Sequence, residues 1–280
     1  MTYRLLAINI DGALLQSDTK ISRQTKAAID YVKSKGVIVT LITSKPYLSA
    51  LKFAKALKLE EYMICSDGAY IAKDKEEALY SNRIKEAQAE EIVDIFERYD
   101  CHFRVFHEFY SLGNKIKQKN HMVAKMTLNL DEPRFYPLSF VDSVYDRLVD
   151  NPLAPLKIQA QFALEDELKR AIDQIKEMNQ SFIIKTGSSN QIEIIQSGVS
   201  KVKALRLLAN YLNVKMEEVV AIGVTESDRE MVAEAGLGVA MGDAIDEVKQ
   251  VASWVTRSKE EDGVAYMVRE VFRKQLRVQI

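Results

Sequence analysis

Leu5-Leu6-Ala7-Ile8-Asn9-Ile10-Asp11-Gly12-Ala13-Leu14-Leu15 runs from an unbroken apolar stretch into a polar turn. A strand that is apolar on both faces is covered on both sides, as in the middle of a parallel sheet. Asn9 and Asp11 stand two residues apart at its end, so their side chains leave on the same face. Gly12 lets the chain depart at a sharp angle. An amide and a carboxylate at the tip of a buried strand make a candidate site, because ligands of open α/β sheets bind beyond the carboxyl ends of the strands.

Outward from this stretch, strand and helix signals alternate. Residues 37–42 form a second apolar run, and between the two runs Ser22 can cap a helix whose buried stripe is Ala28, Ile29 and Val32 and which Gly36 can end. Ala50, Leu51, Ala54 and Leu57 mark a second helix, and residues 62–65 a short strand. The same grammar returns late in the chain. Strands are expected at 219–223, 238–241 and 254–256, with helices at 228–235, 244–252 and 264–272. The middle differs: Phe103-Arg104-Val105-Phe106 and Lys157-Ile158-Gln159-Ala160-Gln161-Phe162 alternate as strands with one wet face do. Helices are expected at 90–99 and 165–178, and Pro133, Pro137, Pro152 and Pro155 fall in the same region. The expected fold is α/β, a doubly wound, Rossmann-like parallel-sheet core made from residues 1–82 and 192–280, with an α+β domain inserted at 83–191.

The 280 residues suffice for two domains with separate cores, and 47% hydrophobic with 28% charged residues is a globular composition. A net charge of -1 gives no general attraction to nucleic acid or anionic membranes. Lys115, Lys117, Lys119 and Lys125, and again Arg269, Arg273, Lys274 and Arg277, read as solvated faces. Cys65 and Cys101 have neither metal-ligand spacing nor a disulfide framework, and the start Met-Thr-Tyr-Arg has no signal-peptide pattern, so a cytoplasmic location is expected. No apolar run approaches the ~20 residues that span a bilayer. His102, His107 and His121 lack the accompanying ligands of a zinc site.

Four strand ends carry chemistry-bearing residues: Asn9-x-Asp11; Thr43-Ser44-Lys45; Gly198-Val199-Ser200-Lys201; and Gly223-Val224-Thr225-Glu226-Ser227-Asp228. In this order they resemble the four motifs of the haloacid dehalogenase-like (HAD) phosphatases. Cys65-Ser66-Asp67-Gly68-Ala69, Ala235-Gly236-Leu237-Gly238-Val239-Ala240-Met241-Gly242-Asp243-Ala244 and Glu261-Asp262-Gly263-Val264-Ala265 are similar to further segments of the Cof-type subgroup, whose large cap falls where the insert does. The resemblance implies catalytic positions at Asn9, Asp11, Thr43 and Lys201. It places phosphate or substrate contacts at Thr43, Ser44, Lys201 and Asp67, and a Mg²⁺ site at Asn9, the Asp11 carbonyl, position 224 and the neighbourhood of Asp228.

Two departures bear on the mechanism. The family's attacking Asp is Asn9 here, and a carboxylate ligand of the metal is Val224. An amide is a far weaker nucleophile than a carboxylate, and Mg²⁺ relies on one or two carboxylates for its charge. Ala13, Ser44-Lys45, Asp67 and Ser227 depart from the family pattern as well. The expectation is a phosphatase-like pseudoenzyme that binds a small phosphorylated or polar ligand in the core–cap cleft, or a protein partner, and neither nucleic acid nor membrane. The alternative is an active Mg²⁺-dependent hydrolase of sugar phosphates or nucleotides that uses Asp11 or Glu226. A third possibility is a structural or stress-related protein with an empty cleft.

Overall fold

The β1 strand (Leu5–Asn9) is buried at every position and lies inside the first sheet of this computed structural model. The structure describes residues 2–17, 20–115, 136–178, 182–187, 189–275 and 278. Helix α1 (Arg23–Ser34) begins where the Ser22 hydroxyl accepts the Thr25 N–H at 3.0 Å, and it buries Ala28, Ile29 and Val32 as its periodicity predicts. β2 (Ile38–Ile42), α2 (Tyr47–Ala56) and β3 (Met63–Cys65) follow. The chain then reverses through Ser66 and Asp67, both at positive φ, into β4 (Tyr70–Ala72), which pairs antiparallel with β3 and carries β5 (Ala78–Ser81) outside it. This hairpin adds to the expected parallel sheet. Three-residue strands are too short to show a period of two.

The second sheet and its helices come from the middle of the chain: α3 (Glu86–Glu97), β6 (Cys101–Phe106), β7 (Ser111–Asn114), β8 (Leu138–Val141), α4 (Val144–Asp150), β9 (Lys157–Phe162), α5 (Glu165–Glu177), β10 (Phe182–Gly187) and β11 (Gln191–Gln196). Its order is β10-β11-β9-β6-β7-β8. One face of the sheet, with Phe103, Val105, Ile158, Ala160, Ile192 and Ile194, shares a core with Phe96 and Ile175 of the helices. Arg104, Gln159 and Glu193, the alternate residues, take the other side of the strands. Burial there would raise the pKa of Glu193, but Lys157, Lys185 and Gln159 around it hold it down to about 2. His102 is buried, and His107 Nε2 lies 3.3 Å from Glu108. Lys115 pairs with Asp142 at the surface. Lys117, Lys119, His121, Lys125, Pro133 and Arg277 lie outside the described residues.

The chain returns to the first sheet through α6 (Lys201–Tyr211), β12 (Val219–Gly223), α7 (Arg229–Glu234), β13 (Leu237–Ala240), α8 (Asp246–Val251), β14 (Trp254–Val255) and α9 (Gly263–Phe272). The order β14-β13-β12-β1-β2-β3-β4-β5 is parallel from β14 to β3. Connections run one way from β1 to β2 and the other way from β12 to β13, so the strand order switches between β1 and β12. That is where open α/β sheets leave a crevice. The molecule divides into two compact units, Met1–Tyr80 with Ser200–Ile280, and Ser81–Val199. The boundary expected at 191/192 falls at 199/200, because β11 pairs with β10 and β9 and so belongs to the second sheet. Among the described residues no helix is long and apolar enough to cross a membrane.

Close packing behind β13 requires Gly238, where a Cβ would lie 1.8 Å from the Val232 carbonyl oxygen. Gly238→Ala is expected to lower the stability of the first unit by more than about 1 kcal/mol, since backbone must shift to admit the methyl. The single tryptophan, Trp254 in the neighbouring strand, reports on this unit in urea titrations followed by fluorescence. An unchanged midpoint would contradict the packing described.

Candidate functional site

Register sets the first three participants. Ile8 pairs with Ile222 and Asn9 with Ile42, so Thr43 and Val224 each follow one residue beyond the level of Asn9 on the two strands that flank β1. The Asn9 Oδ1 accepts the Asp11 N–H at 2.9 Å, and its Nδ2 donates to Asp228 Oδ2. The partners themselves orient the amide, because an N–H can only donate and an ionised carboxylate only accept.

Asp228 is fully buried and collects donors from three segments. Its Oδ2 accepts the Asn9 amide, the N–H groups of Val224 (2.9 Å) and Thr225 (3.0 Å), and the Thr225 hydroxyl (3.1 Å). Its Oδ1 accepts Lys201 Nζ at 2.7 Å. Burial would raise the pKa of Asp228, but the Lys201 ammonium and the N–H donors outweigh it and hold the carboxyl below its ordinary 3.8. Lys201 opens α6, whose start is capped by Ser200 through the Lys203 N–H. It is 3% exposed and has a second carboxylate, Asp67 Oδ1, at 3.7 Å. Asp67 has a left-handed backbone (φ 57°), a conformation that Asp tolerates better than most residues, and its N–H donates to the Thr43 carbonyl at 3.1 Å.

Around the other side of the site, the Thr43 hydroxyl accepts the Lys45 N–H at 3.0 Å and donates to Asp11 Oδ2 at 3.2 Å. Lys45 Nζ lies 3.1 Å from Asp11 Oδ1. Gly12, at φ +83°, makes the turn after Asp11, and a Cβ there would meet the Val224 isopropyl at 3.0 Å. Val224 thus lays apolar surface against the turn that follows β1.

Asn9, Asp11, Thr43, Asp67, Lys201 and Asp228, chosen from the sequence, form one closed chain of contacts. Ser44 is half-buried in the turn beside them, while Glu226 is exposed. Sequence reasoning missed Lys45 as the partner of Asp11, although its place two residues after Thr43 was a usable signal. It also missed the Ser66 hydroxyl, buried with no hydrogen-bond partner among the described residues, for which the sequence carried no sign.

The profile of the haloacid dehalogenase-like hydrolases matches residues 6–268. The chain belongs to that family. Relatives include "Stress response protein YhaX" of Bacillus subtilis, 43% identical over 99% of this chain and 96% of that protein. Another Bacillus subtilis protein, "5-amino-6-(5-phospho-D-ribitylamino)uracil phosphatase YitU", is 28% identical over 96% of this chain and 97% of its own. Among solved structures, a haloacid dehalogenase-like hydrolase from Bacteroides thetaiotaomicron superposes with a TM-score of 0.83 at 21% identity, over 97% of this chain and 100% of that one. A HAD subclass IIB sugar phosphatase gives 0.75 at 22% identity, over 95% and 98%. These structural likenesses establish the HAD fold, with its Rossmann-like core and a cap domain.

The Mg²⁺ that the HAD resemblance implies does not fit this donor set. Asn9 turns its NH₂ toward Asp228, Val224 contributes an isopropyl group, and the Asp228 oxygens already accept five donors. Among the described residues no group of three or more His, Cys, Asp or Glu side chains is placed to hold a metal. Magnesium needs oxygen ligands in near-octahedral array.

Because the Asp228 pKa is depressed in the folded protein, the stabilisation it contributes is present above its unfolded value and is lost as pH falls through the folded one. Asp228→Asn is expected to cost about 3–5 kcal/mol at pH 7, since Lys201 loses its nearest counter-charge in a buried setting. The gap between variant and wild type should narrow as pH drops below 3.8. Denaturant titrations at several pH values check this, and a gap independent of pH would remove the ionic account of Asp228.

Proposed function

We propose that this chain is a HAD-like phosphatase homologue with impaired catalysis, a binding or regulatory protein that holds a small phosphorylated or polar ligand at the strand-end site without hydrolysing it. The observation that carries this reading is the Asn9 amide hydrogen-bonded to Asp228. Aspartyl-phosphate chemistry starts from an anionic oxygen, and Asn9 offers a neutral carbonyl already engaged by the Asp11 N–H. Phosphoryl transfer also needs cationic charge on the moving group. Lys201 is committed to Asp228 and stands near Asp67, while Lys45 faces Asp11. The relative at 43% identity is named for a stress response, whereas the 28% identical relative is named for a phosphatase activity.

Purified wild-type protein is expected to hydrolyse p-nitrophenyl phosphate no faster than Lys201→Ala. Asn9→Asp alone should remain nearly inactive and lose about 2–4 kcal/mol of stability, because it replaces a donor to Asp228 with a buried like charge. Asn9→Asp with Val224→Asp should gain Mg²⁺-dependent turnover, with strong coupling between the two substitutions. Robust Mg²⁺-dependent wild-type activity that Asp11→Ala abolishes would overturn the non-catalytic reading in favour of an altered hydrolase.

A further inference from the structure

The contacts of Asp11 differ in kind from those of Asp228. Asp228 is fully buried, whereas the Asp11 side chain is 42% exposed and is held through its two carboxylate oxygens by two donors on one turn. Its Oδ2 takes the Thr43 hydroxyl at 3.2 Å, and its Oδ1 takes the Lys45 ammonium at 3.1 Å. Thr43 has one hydroxyl proton. The Lys45 N–H donates to its Oγ1 at 3.0 Å, which leaves that proton to point at an acceptor, and the acceptor is Asp11. Thr43 is fully buried and its hydroxyl fixes the backbone N–H of Lys45 in the same turn, from which the 22% exposed Lys45 side chain reaches Asp11. A hydroxyl and an ammonium converging on two oxygens of one anion form a small oxyanion cradle, and charge-assisted bonds of this type are the stronger ones.

From this geometry we propose that Asp11 is an internal anion that occupies a phosphate-binding cradle formed by Thr43 Oγ1 and Lys45 Nζ, a latch that an incoming phosphate group must displace. The inference rests on the proposed ligand-binding role and specifies how that site is regulated. Its ligand is a tetrahedral oxyanion whose two oxygens replace those of the Asp11 carboxylate. The exposed Asp11 side chain has room to rotate into solvent when displaced, whereas Lys201 remains bound to Asp228. Asp11 weakens phosphate binding twice, by using both donors and by adding a like charge beside the anion.

The test is titration calorimetry of the full chain with inorganic phosphate at fixed ionic strength, comparing wild type with Asp11→Asn and Asp11→Ala. Both variants are expected to bind phosphate on the order of tenfold or more tightly than wild type, as loss of a competing charge-assisted contact predicts. Adding Lys45→Met to either should remove the gain, and Thr43→Val should reduce it. Circular dichroism and urea midpoints verify that each variant is folded. Phenyl phosphate in place of phosphate separates the sources: a gain for both assigns the phosphate group of an ester, and a gain for phosphate alone assigns the free ion. Equal or weaker binding by Asp11→Asn and Asp11→Ala overturns the latch, as does a gain that survives Lys45→Met. Neither result bears on turnover, so failure of the latch and failure of the non-catalytic reading are distinguishable.

Discussion

The carboxylate of Asp228 is the point on which the strand-end site depends. It is wholly buried, and an ionised group in that position is tolerable only with an opposite charge and a full set of donors. Lys201 supplies the charge, and Asn9, Val224 and Thr225 supply the donors. Those residues come from the end of β1, the end of β12 and the start of α6. One anion therefore ties together three segments that are far apart in the chain.

The same constraint explains how Asn9 and Val224 fit together. A second carboxylate at position 9 would face Asp228 across a hydrogen-bond distance, and the repulsion would have to be relieved by a proton or a cation between the two. With an amide there, the contact becomes a donor–acceptor pair. With valine at 224, apolar surface covers the turn at Gly12. The network is satisfied by groups that the chain itself provides, and a divalent ion is not required for its balance.

Asp11 belongs to the other half of the site and obeys a softer rule. Being partly exposed, it can trade protein donors for water at less cost than Asp228 could, so its bonds to Thr43 and Lys45 are contacts that a ligand can compete for. The rigid half around Asp228 and the exchangeable half around Asp11 meet at Asn9, whose carbonyl fixes the backbone N–H of Asp11.

Much of this was legible in the residues. Unbroken apolar runs announced β1, β2 and β12 because strands covered on both faces exclude polar side chains. Alternation announced β6 and β9 because one face of their sheet packs an apolar core while the other carries polar groups such as Arg104, Gln159 and Glu193, although His102, Phe106 and Lys157 on that second face are buried and not wet. The strand-end motifs announced Asn9, Asp11, Thr43, Asp67, Lys201 and Asp228 as a set, and the family with them. The β3–β4 hairpin and the boundary at 199/200 were not legible: they depend on which short strands pair, and pairing partners carry no local signature. Nor could sequence say that the Asn9 amide donates to Asp228, or that Asp11 lies between Thr43 and Lys45. Those facts are distances between residues up to 219 positions apart, set by strand register and helix placement and not by any neighbouring residue.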